Sequence, residues 1–296
     1  MTNRPDSASD IEKIASTILK ESGALDVFPT PIQCIVDYSE LIIDKKHNLS
    51  MIDKNFFSKW GDSAHKLLRS ALEKVLGAID IREKTIYLDL NQIETKKSFV
   101  KLHEVGHGIL PWQKKTYSFL DDKYTLRADT TVEFDREANF FASATLFQLD
   151  RFNNLAKRLP LKLASAMHLA KHFGASNHAT LRRYVEASTK RCALLVLETE
   201  ESNKILIPKI RDYFQSESFS KEFDFVEWNN ANFHSLPFID LYNFKVKLKD
   251  EQELIYSHHG KKVCFEYDYF NNSYNAFVFL RPKGERIKSR VTFKVA

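Results

Sequence analysis

Five consecutive residues, His103-Glu104-Val105-Gly106-His107, carry the clearest chemical signal in the sequence. They read H-E-x-x-H, and on an α-helix of about 3.6 residues per turn this spacing puts the two histidines on one face. Two imidazoles placed in this way can bind one metal ion. Glu104 lies about 100° round the same helix, where it can take a proton from a water whose pKa the metal lowers. The motif predicts a zinc-dependent hydrolase, with His103 and His107 as ligands and Glu104 as general base.

A catalytic zinc site needs three protein ligands and keeps one position for water. A helix predicted from about Thr131 to Leu149 offers carboxylates for the third position. Glu137 is the predicted ligand, because the small Ala138 beside it would let the two helices approach. Glu133 lies one turn earlier on the same face and is the second choice. Asp135 is expected to point elsewhere on helical geometry.

The apolar periodicity predicts the elements that position the motif. In chain order we expect helices over Ser9–Gly23, Ile32–Leu41 and Asp62–Leu76, a connection with some helical character over Asp44–Trp60, a β-hairpin over Ala78–Leu90 and the motif helix over Lys97–Leu110. A strand just before the metal helix could hold an extended substrate through main-chain hydrogen bonds. It could equally be a plain cover for the helix.

These residues resemble the ImmA/IrrE-type metallopeptidases. The resemblance rests on the hairpin, on the motif helix and on Glu137-Ala138-Asn139-Phe140-Phe141-Ala142, because that family pairs a helix reading H-E-x-G-H with one reading E-A-N-x-F-A. It implies a cytosolic, gluzincin-like zinc endopeptidase that cleaves helix-turn-helix repressors and so switches on stress-response or mobile-element genes. It implies His103, His107 and Glu137 as zinc ligands and Glu104 as general base. Thr145-Leu146-Phe147-Gln148 departs from the family's Leu-Leu-Met-Pro-like end, which leaves the shape of the substrate cleft open.

Two segments follow the predicted zincin-like peptidase domain, residues 1–152. Residues 153–191 contain a helix ending near Phe173-Gly174, a turn capped by Ser176 and a second amphipathic helix, which is a helix-turn-helix pattern. Nine basic residues and one acid between Arg151 and Arg191 would suit phosphate contacts, although the equivalent helices of the family can pack on the peptidase unit. Residues 192–296 are predicted to be mixed α/β, and longer members of the family carry a GAF-like sensory domain there. The predicted fold class is α+β.

Composition excludes several classes of protein. The 296 residues are 43% hydrophobic and 28% charged with a net charge of +5, as in an ordinary globular protein. Cys34, Cys192 and Cys264 have no disulfide or metal spacing, so we expect reduced thiols in the cytoplasm. We expect neither an export signal nor a membrane span, which disfavours a secreted protease.

The sequence leaves two questions open. The residue that steadies the oxyanion of a tetrahedral intermediate could be Tyr117, Tyr124, His168, His172 or His178. The protein could also be a non-proteolytic regulator that binds a repressor or DNA. Glu104 argues against that alternative, since a purely structural metal site needs no general base. The expected partner is therefore a repressor substrate, with DNA as a secondary possibility and no membrane.

Overall fold

The computed structural model of the chain describes residues 4–51, 77–119, 128–202, 205–228, 233–258 and 260–285. It divides into two compact units, residues 1–152 with 171–176 and residues 153–170 with 177–296. The predicted helix-turn-helix region, 153–191, is shared between these units. Both units combine helices with strands, which confirms the α+β class. In the part of the chain described, no helix is long and apolar enough to cross a bilayer.

The first unit places helices around a small sheet. Its described elements are α1 (Ala8–Glu21), α2 (Ile32–Tyr38), β1 (Ile42–Asn48), β2 (Gly77–Asp80), β3 (Thr85–Leu88), α3 (Glu94–Ile109), α4 (Pro111–Phe119), α5 (Ala128–Leu146) and the start of α6 (Asp150–Arg158). The strand order is β1-β3-β2, with β1 parallel and β2 antiparallel to β3. Strands β2 and β3 form the hairpin predicted before the motif helix.

The segment between α2 and the hairpin differs from the prediction where the structure describes it. Strand β1 occupies the start of the stretch Asp44–Trp60, so the prediction of a connection is wrong there, while the predicted helical character is limited to a 3₁₀ turn at Leu49–Met51 and the residues of this stretch after Met51 lie outside the described part. The residues of β1 are largely polar and exposed, and the strand forms because β3 offers an edge to pair with rather than because of alternation. The helix predicted over Asp62–Leu76 lies outside the described residues. Gly77, predicted to end that helix, opens β2.

The second unit is built on an antiparallel sheet. Its described elements are α7 (Leu163–Phe173, whose last residues group with the first unit), α8 (Asn177–Glu186), β4 (Ala193–Ser202), β5 (Ile205–Gln215), α9 (Glu217–Phe223), α10 (Pro237–Asn243), β6 (Leu248–His258), β7 (Lys261–Asn271) and β8 (Ala276–Pro282). The strand order is β5-β4-β8-β7-β6. One face packs on α9 and α10 in an aromatic core around Trp228 and Phe265. Helix α8 packs on β4 and β5, and its Tyr184 ring lies 6.0 Å from that of Phe279.

The break between α3 and α4 is what turns the chain back toward the motif. Leu110 precedes a proline and takes an extended conformation, because the proline ring disfavours helical geometry at that position. Pro111 then starts α4, where its missing N–H costs nothing. Trp112 and Gln113 therefore return to the last turn of α3.

Candidate metal centre

Helix α3 places the two histidines and the glutamate of the motif in the protein interior. His103, Glu104 and His107 are 2%, 3% and 6% exposed. Polar groups at such depth need partners, because desolvation without hydrogen bonding costs on the order of 1–3 kcal/mol per group. The partners of the two imidazoles therefore show how each ring is oriented.

Each imidazole is held through its Nδ1 atom. His103 Nδ1 lies 3.1 Å from Asn139 Oδ1, and His107 Nδ1 lies 2.7 Å from Gln113 Oε1. Since amide oxygens only accept, both Nδ1 atoms carry the hydrogen. The Nε2 atoms of the neutral rings are then bare, and they lie 3.1 Å apart. Two lone pairs brought so close fit a shared metal ion, with the Nδ1 partners fixing the tautomer.

Asp135 is the candidate for the third donor. Its Oδ1 lies 3.6 Å from His107 Nε2, and the candidate ligand atoms of His103, His107 and Asp135 all lie within 4.8 Å of one another. The structure brings Asp135, not Glu137, to the imidazoles. The expectation that Asp135 points elsewhere is wrong. Two imidazoles and one carboxylate are a donor set that suits zinc and other divalent ions.

Asp135 rather than Glu137 faces the imidazoles because of the way α5 is rotated about its own axis. Asp135 and Asn139 are four residues apart and share one face, and Asn139 contacts His103. Glu137 is two residues from each, about 200° round a helix of 3.6 residues per turn. Ala138 does allow the close approach, because a Cβ on Gly106 would lie 3.2 Å from its Cα. The face of α5 that packs on α3 therefore carries Asp135 and Asn139 beside Ala138.

Glu137 and Glu133 have other partners. Glu137 is buried and accepts hydrogen bonds from Ser7 Oγ, from Trp112 Nε1 at 2.7 Å and from Gln113 Nε2 at 2.7 Å. Glu133 pairs with Arg136 at 2.6 Å on the helix surface. Glu137 therefore supports the Gln113 that holds His107, and Glu133 does not reach the site.

Glu104 sits under the first residue of β2. A Cβ on Gly77 would lie 2.9 Å from Glu104 Oε1 and 2.3 Å from Val100 Cγ1, so only glycine fits this close approach. Burial raises the pKa of Glu104 to about 7, with His107 acting against this shift and Asp135 in its favour. A carboxyl group with a pKa near neutrality can both accept and return a proton.

The two histidines differ in how readily they take a proton. Burial lowers the pKa of His103, and the neighbouring His107 lowers it further. Burial also acts to lower the pKa of His107, but the nearby carboxylates of Asp135 and Glu104 outweigh that, and the pKa is raised. Repulsion keeps both rings from being protonated together, which leaves the lone pair of His103 available.

Of the oxyanion candidates, Tyr117 lies next to a proposed ligand. Its ring centroid is 6.0 Å from that of His107, and burial raises its pKa, so the phenol keeps its proton for donation. His172 packs on Phe28, with centroids 4.2 Å apart, while His178 contacts Asp212 at 3.1 Å in the second unit and His168 is exposed. Tyr124 lies outside the described residues.

Sequence reasoning missed the supporting residues of the site. Asn139 and Gln113 each fix one imidazole, and Trp112 and Ser7 hold Glu137. One signal could have found the correct face of α5. The i, i+4 pair Asp135 and Asn139 places a ligand and a histidine partner side by side.

Comparison with known proteins points to one family. The family model of the peptidase M78 family, described as the IrrE N-terminal-like domain, matches residues 61–184. A Mycobacterium tuberculosis transcriptional regulator has a similar structure, with a TM-score of 0.52 and 14% identity over 92% of this chain and 75% of the regulator. At that identity the likeness concerns the fold alone. No curated protein matches the chain significantly. The segment 61–184, with its H-E-x-G-H helix, is an IrrE N-terminal-like domain of the ImmA/IrrE peptidase family.

Proposed function

We propose that the chain is a metal-dependent endopeptidase that cleaves a DNA-binding transcriptional repressor in the cytoplasm. The observation that carries this proposal is the convergence of two bare Nε2 atoms and the Asp135 carboxylate beside Glu104. His103, His107 and Asp135 would hold the ion, and zinc suits the donor set best. The family supports a repressor as substrate, and its cleavage would derepress stress-response or mobile-element genes.

The chain's own residues supply the proton transfers. A bound divalent ion acts as a Lewis acid and makes water a better nucleophile. Glu104 removes the proton from the attacking water and delivers it to the leaving amine. Tyr117 lies beside His107 and would donate its hydroxyl hydrogen to the oxyanion. Gln113 and Asn139 keep both imidazoles in the ligand tautomer throughout.

Strand β2 offers a place for the peptide. Among the described strands it pairs with β3 alone, and it packs on α3 next to Glu104. A substrate added as a further strand would gain main-chain hydrogen bonds with little demand on its sequence. This arrangement would suit an enzyme that cuts within a flexible segment of its target.

The second unit is proposed to carry the control of the peptidase. Its five strands form one antiparallel sheet in the order β5-β4-β8-β7-β6, with helices packed on it. We assign residues 192–296 to a GAF-like domain, the kind that longer members of the family carry at this place, and 1–152 to a zincin-like domain because of its H-E-x-x-H helix and the family match. The sensory domain would set when the repressor is cleaved.

The alternative function, direct regulation through DNA, has less support. Several basic residues that would contact phosphates form ion pairs instead. The pairs are Lys162 with Glu251, Arg182 with Glu186, Arg191 with Glu222 and Glu285, and Arg151 with Asp26 and Asp150. Arg182 also lies over the Phe214 ring. Cations that are paired in this way contribute less to phosphate binding.

A cleavage assay tests the proposal. The full chain with one equivalent of Zn²⁺ is incubated with the repressor encoded beside its gene, and the products are mapped by mass spectrometry. Glu104→Gln should keep its metal and lose roughly 10²–10⁴-fold in rate, the usual contribution of general acid–base catalysis. Glu133→Gln is the matched control on the surface of α5 and should cleave normally. Cleavage by Glu104→Gln at the wild-type rate would refute the proposal.

A further inference from the structure

We infer that Glu137 and Gln113 are positioning residues that lock His107 in its metal-binding tautomer, and that Glu137 is not itself a ligand. The inference rests on the metal site of the proposed function and concerns how this chain builds it. Glu137 is the carboxylate of the E-A-N-x-F-A pattern, and the structure does not place it against the imidazoles. The inference gives this residue a role.

The hydrogen-bond inventory of Gln113 allows one orientation of its amide. Its Nε2 donates to Glu137 Oε2 at 2.7 Å and to the Phe134 carbonyl at 3.1 Å. Both partners only accept, so both amide hydrogens are used. A flipped amide would place its oxygen against two acceptors, and Gln113 is fully buried, so water cannot replace the lost bonds. The side-chain oxygen must therefore face His107.

That orientation decides the state of His107. The oxygen of Gln113 lies 2.7 Å from His107 Nδ1, which must be the donor. The proton on Nδ1 leaves Nε2 bare, and Nε2 is the atom that lies 3.1 Å from His103 Nε2. In a neutral imidazole one nitrogen carries the hydrogen, so the amide selects the ligand nitrogen.

Glu137 holds the amide because its carboxylate is itself held by three donors from two segments of the chain. Its carboxylate receives the Trp112 indole N–H and the Gln113 amide from α4, and the Ser7 hydroxyl from the turn before α1. With 5% exposure it has little contact with water. A side chain fixed by three donors cannot turn away to release Gln113.

Substitutions separate this role from a ligand role. In Glu137→Gln, the new amide oxygen can still accept from Trp112 and Gln113 while its NH₂ donates to Ser7 Oγ. We therefore expect Glu137→Gln to keep metal affinity within about 3-fold, whereas Glu137→Ala and Gln113→Ala should each weaken it about 10–100-fold, as is typical of lost outer contacts. Asp135→Asn should weaken it at least as much. A ligand role would instead make Glu137→Gln as damaging as Asp135→Asn.

The experiment measures metal binding on the full chain. Wild type, the four variants and the Glu133→Gln control are titrated with Co²⁺, whose visible spectrum reports the ligand set, and Zn²⁺ affinity is measured by competition. The double variant Glu137→Ala/Gln113→Ala should bind as weakly as Gln113→Ala alone, because Glu137 acts through Gln113. Additive losses, or a Glu137→Gln variant that loses its Co²⁺ spectrum, would overturn the inference.

A second readout requires no metal. ¹⁵N NMR of the histidine rings should show His107 with its hydrogen on Nδ1 in the metal-free wild type and in Glu137→Gln, and a mixture of tautomers in Gln113→Ala. An unchanged ring in Gln113→Ala would contradict the positioning role. Wild-type protein that binds neither Co²⁺ nor Zn²⁺ would defeat the proposed function, and the tautomer result would still decide the inference.

Discussion

Replacing Gly106 with alanine should loosen the metal site although it improves the helix. A Cβ at this position would lie 3.1 Å from Phe141 Cδ1 and 3.2 Å from Ala138 Cα. Carbon atoms pack best at about 3.5–4.0 Å, so both contacts are short by a few tenths of an ångström. Phe141 is fully buried and Ala138 Cα is backbone. The strain is therefore relieved by moving α3 and α5 apart.

The expected magnitudes follow from two opposing terms. Alanine gains about 1 kcal/mol of helix propensity over glycine, and overpacking a core costs about 1–3 kcal/mol. The free energy of unfolding should therefore fall by about 0–2 kcal/mol, as the difference of these terms. Asp135 moves with α5, and since a misplacement of about 1 Å can cost about 100-fold in activity, a few tenths of that distance should cost roughly 3–10-fold in catalysis and zinc affinity.

Gly108→Ala is the matched control on the same helix. It gains the same propensity, but its Cβ would meet the side-chain ends of Ile79 and Leu41, at 3.0 and 3.2 Å, rather than α5. Zinc affinity by competition and thermal unfolding are measured for both variants. Gly106→Ala should bind zinc more weakly than Gly108→Ala. Equal affinities would show that the approach of α3 to α5 does not set the ligand distances.

Three further outcomes are expected. Gly77→Ala should lower kcat about 10–100-fold with zinc content unchanged, measured by steady-state kinetics, because its Cβ would displace Glu104 and a misplacement of about 1 Å can cost about 100-fold. Gln148→Ala should destabilise the first unit by about 2–3 kcal/mol in urea, since its amide holds the Ala24 and Val27 carbonyls, Thr30 Oγ1 and the Asp26 N–H; unchanged unfolding would contradict this. His178→Gln should flatten the loss of stability of the second unit as pH falls below 6.5, followed by hydrogen exchange of β5. Burial lowers the pKa of His178, so the unfolded chain takes up the proton first; an identical pH profile would oppose this.

The motif helix was predictable because its signal is purely local. The spacing of His103 and His107 fixes their common face on any helix, and Pro111 fixes where that helix ends. Glu104 follows from the same geometry. These residues need no partner element for their relative positions, so sequence was sufficient for them.

The carboxylate that we propose as third ligand was not predictable in the same way. Asp135 and Glu137 lie on one helix, and the choice between them depends on how α5 is rotated against α3. That rotation is set by the close approach of Gly106 to Ala138 and Phe141, which lie on another helix, so neither motif alone reveals it. The i, i+4 relation of Asp135 and Asn139 pointed to the correct face, while the family pattern pointed to Glu137. Strand β1 shows the same limit, since its pairing with β3 joins residues about 40 positions apart.

The departure at Gln148 also has a structural explanation. Gln148 lies just after the end of α5, and its side chain forms hydrogen bonds with the segment from Ala24 to Thr30. A proline at this position could make none of them, because its side chain has no polar atom. The residue therefore fastens the end of α5 to the chain after α1.

The boundaries of the family match are not safe boundaries for excising the domain. A fragment of residues 61–184 would lack β1 and so leave an edge of β3 bare, and exposed strand edges promote aggregation. It would also lose Ser7, and with it one donor to Glu137. At its other end it would carry α8 without the sheet on which that helix packs. A fragment meant to keep the metal site should therefore begin ahead of α1, so that Ser7 and β1 are retained, rather than at residue 61.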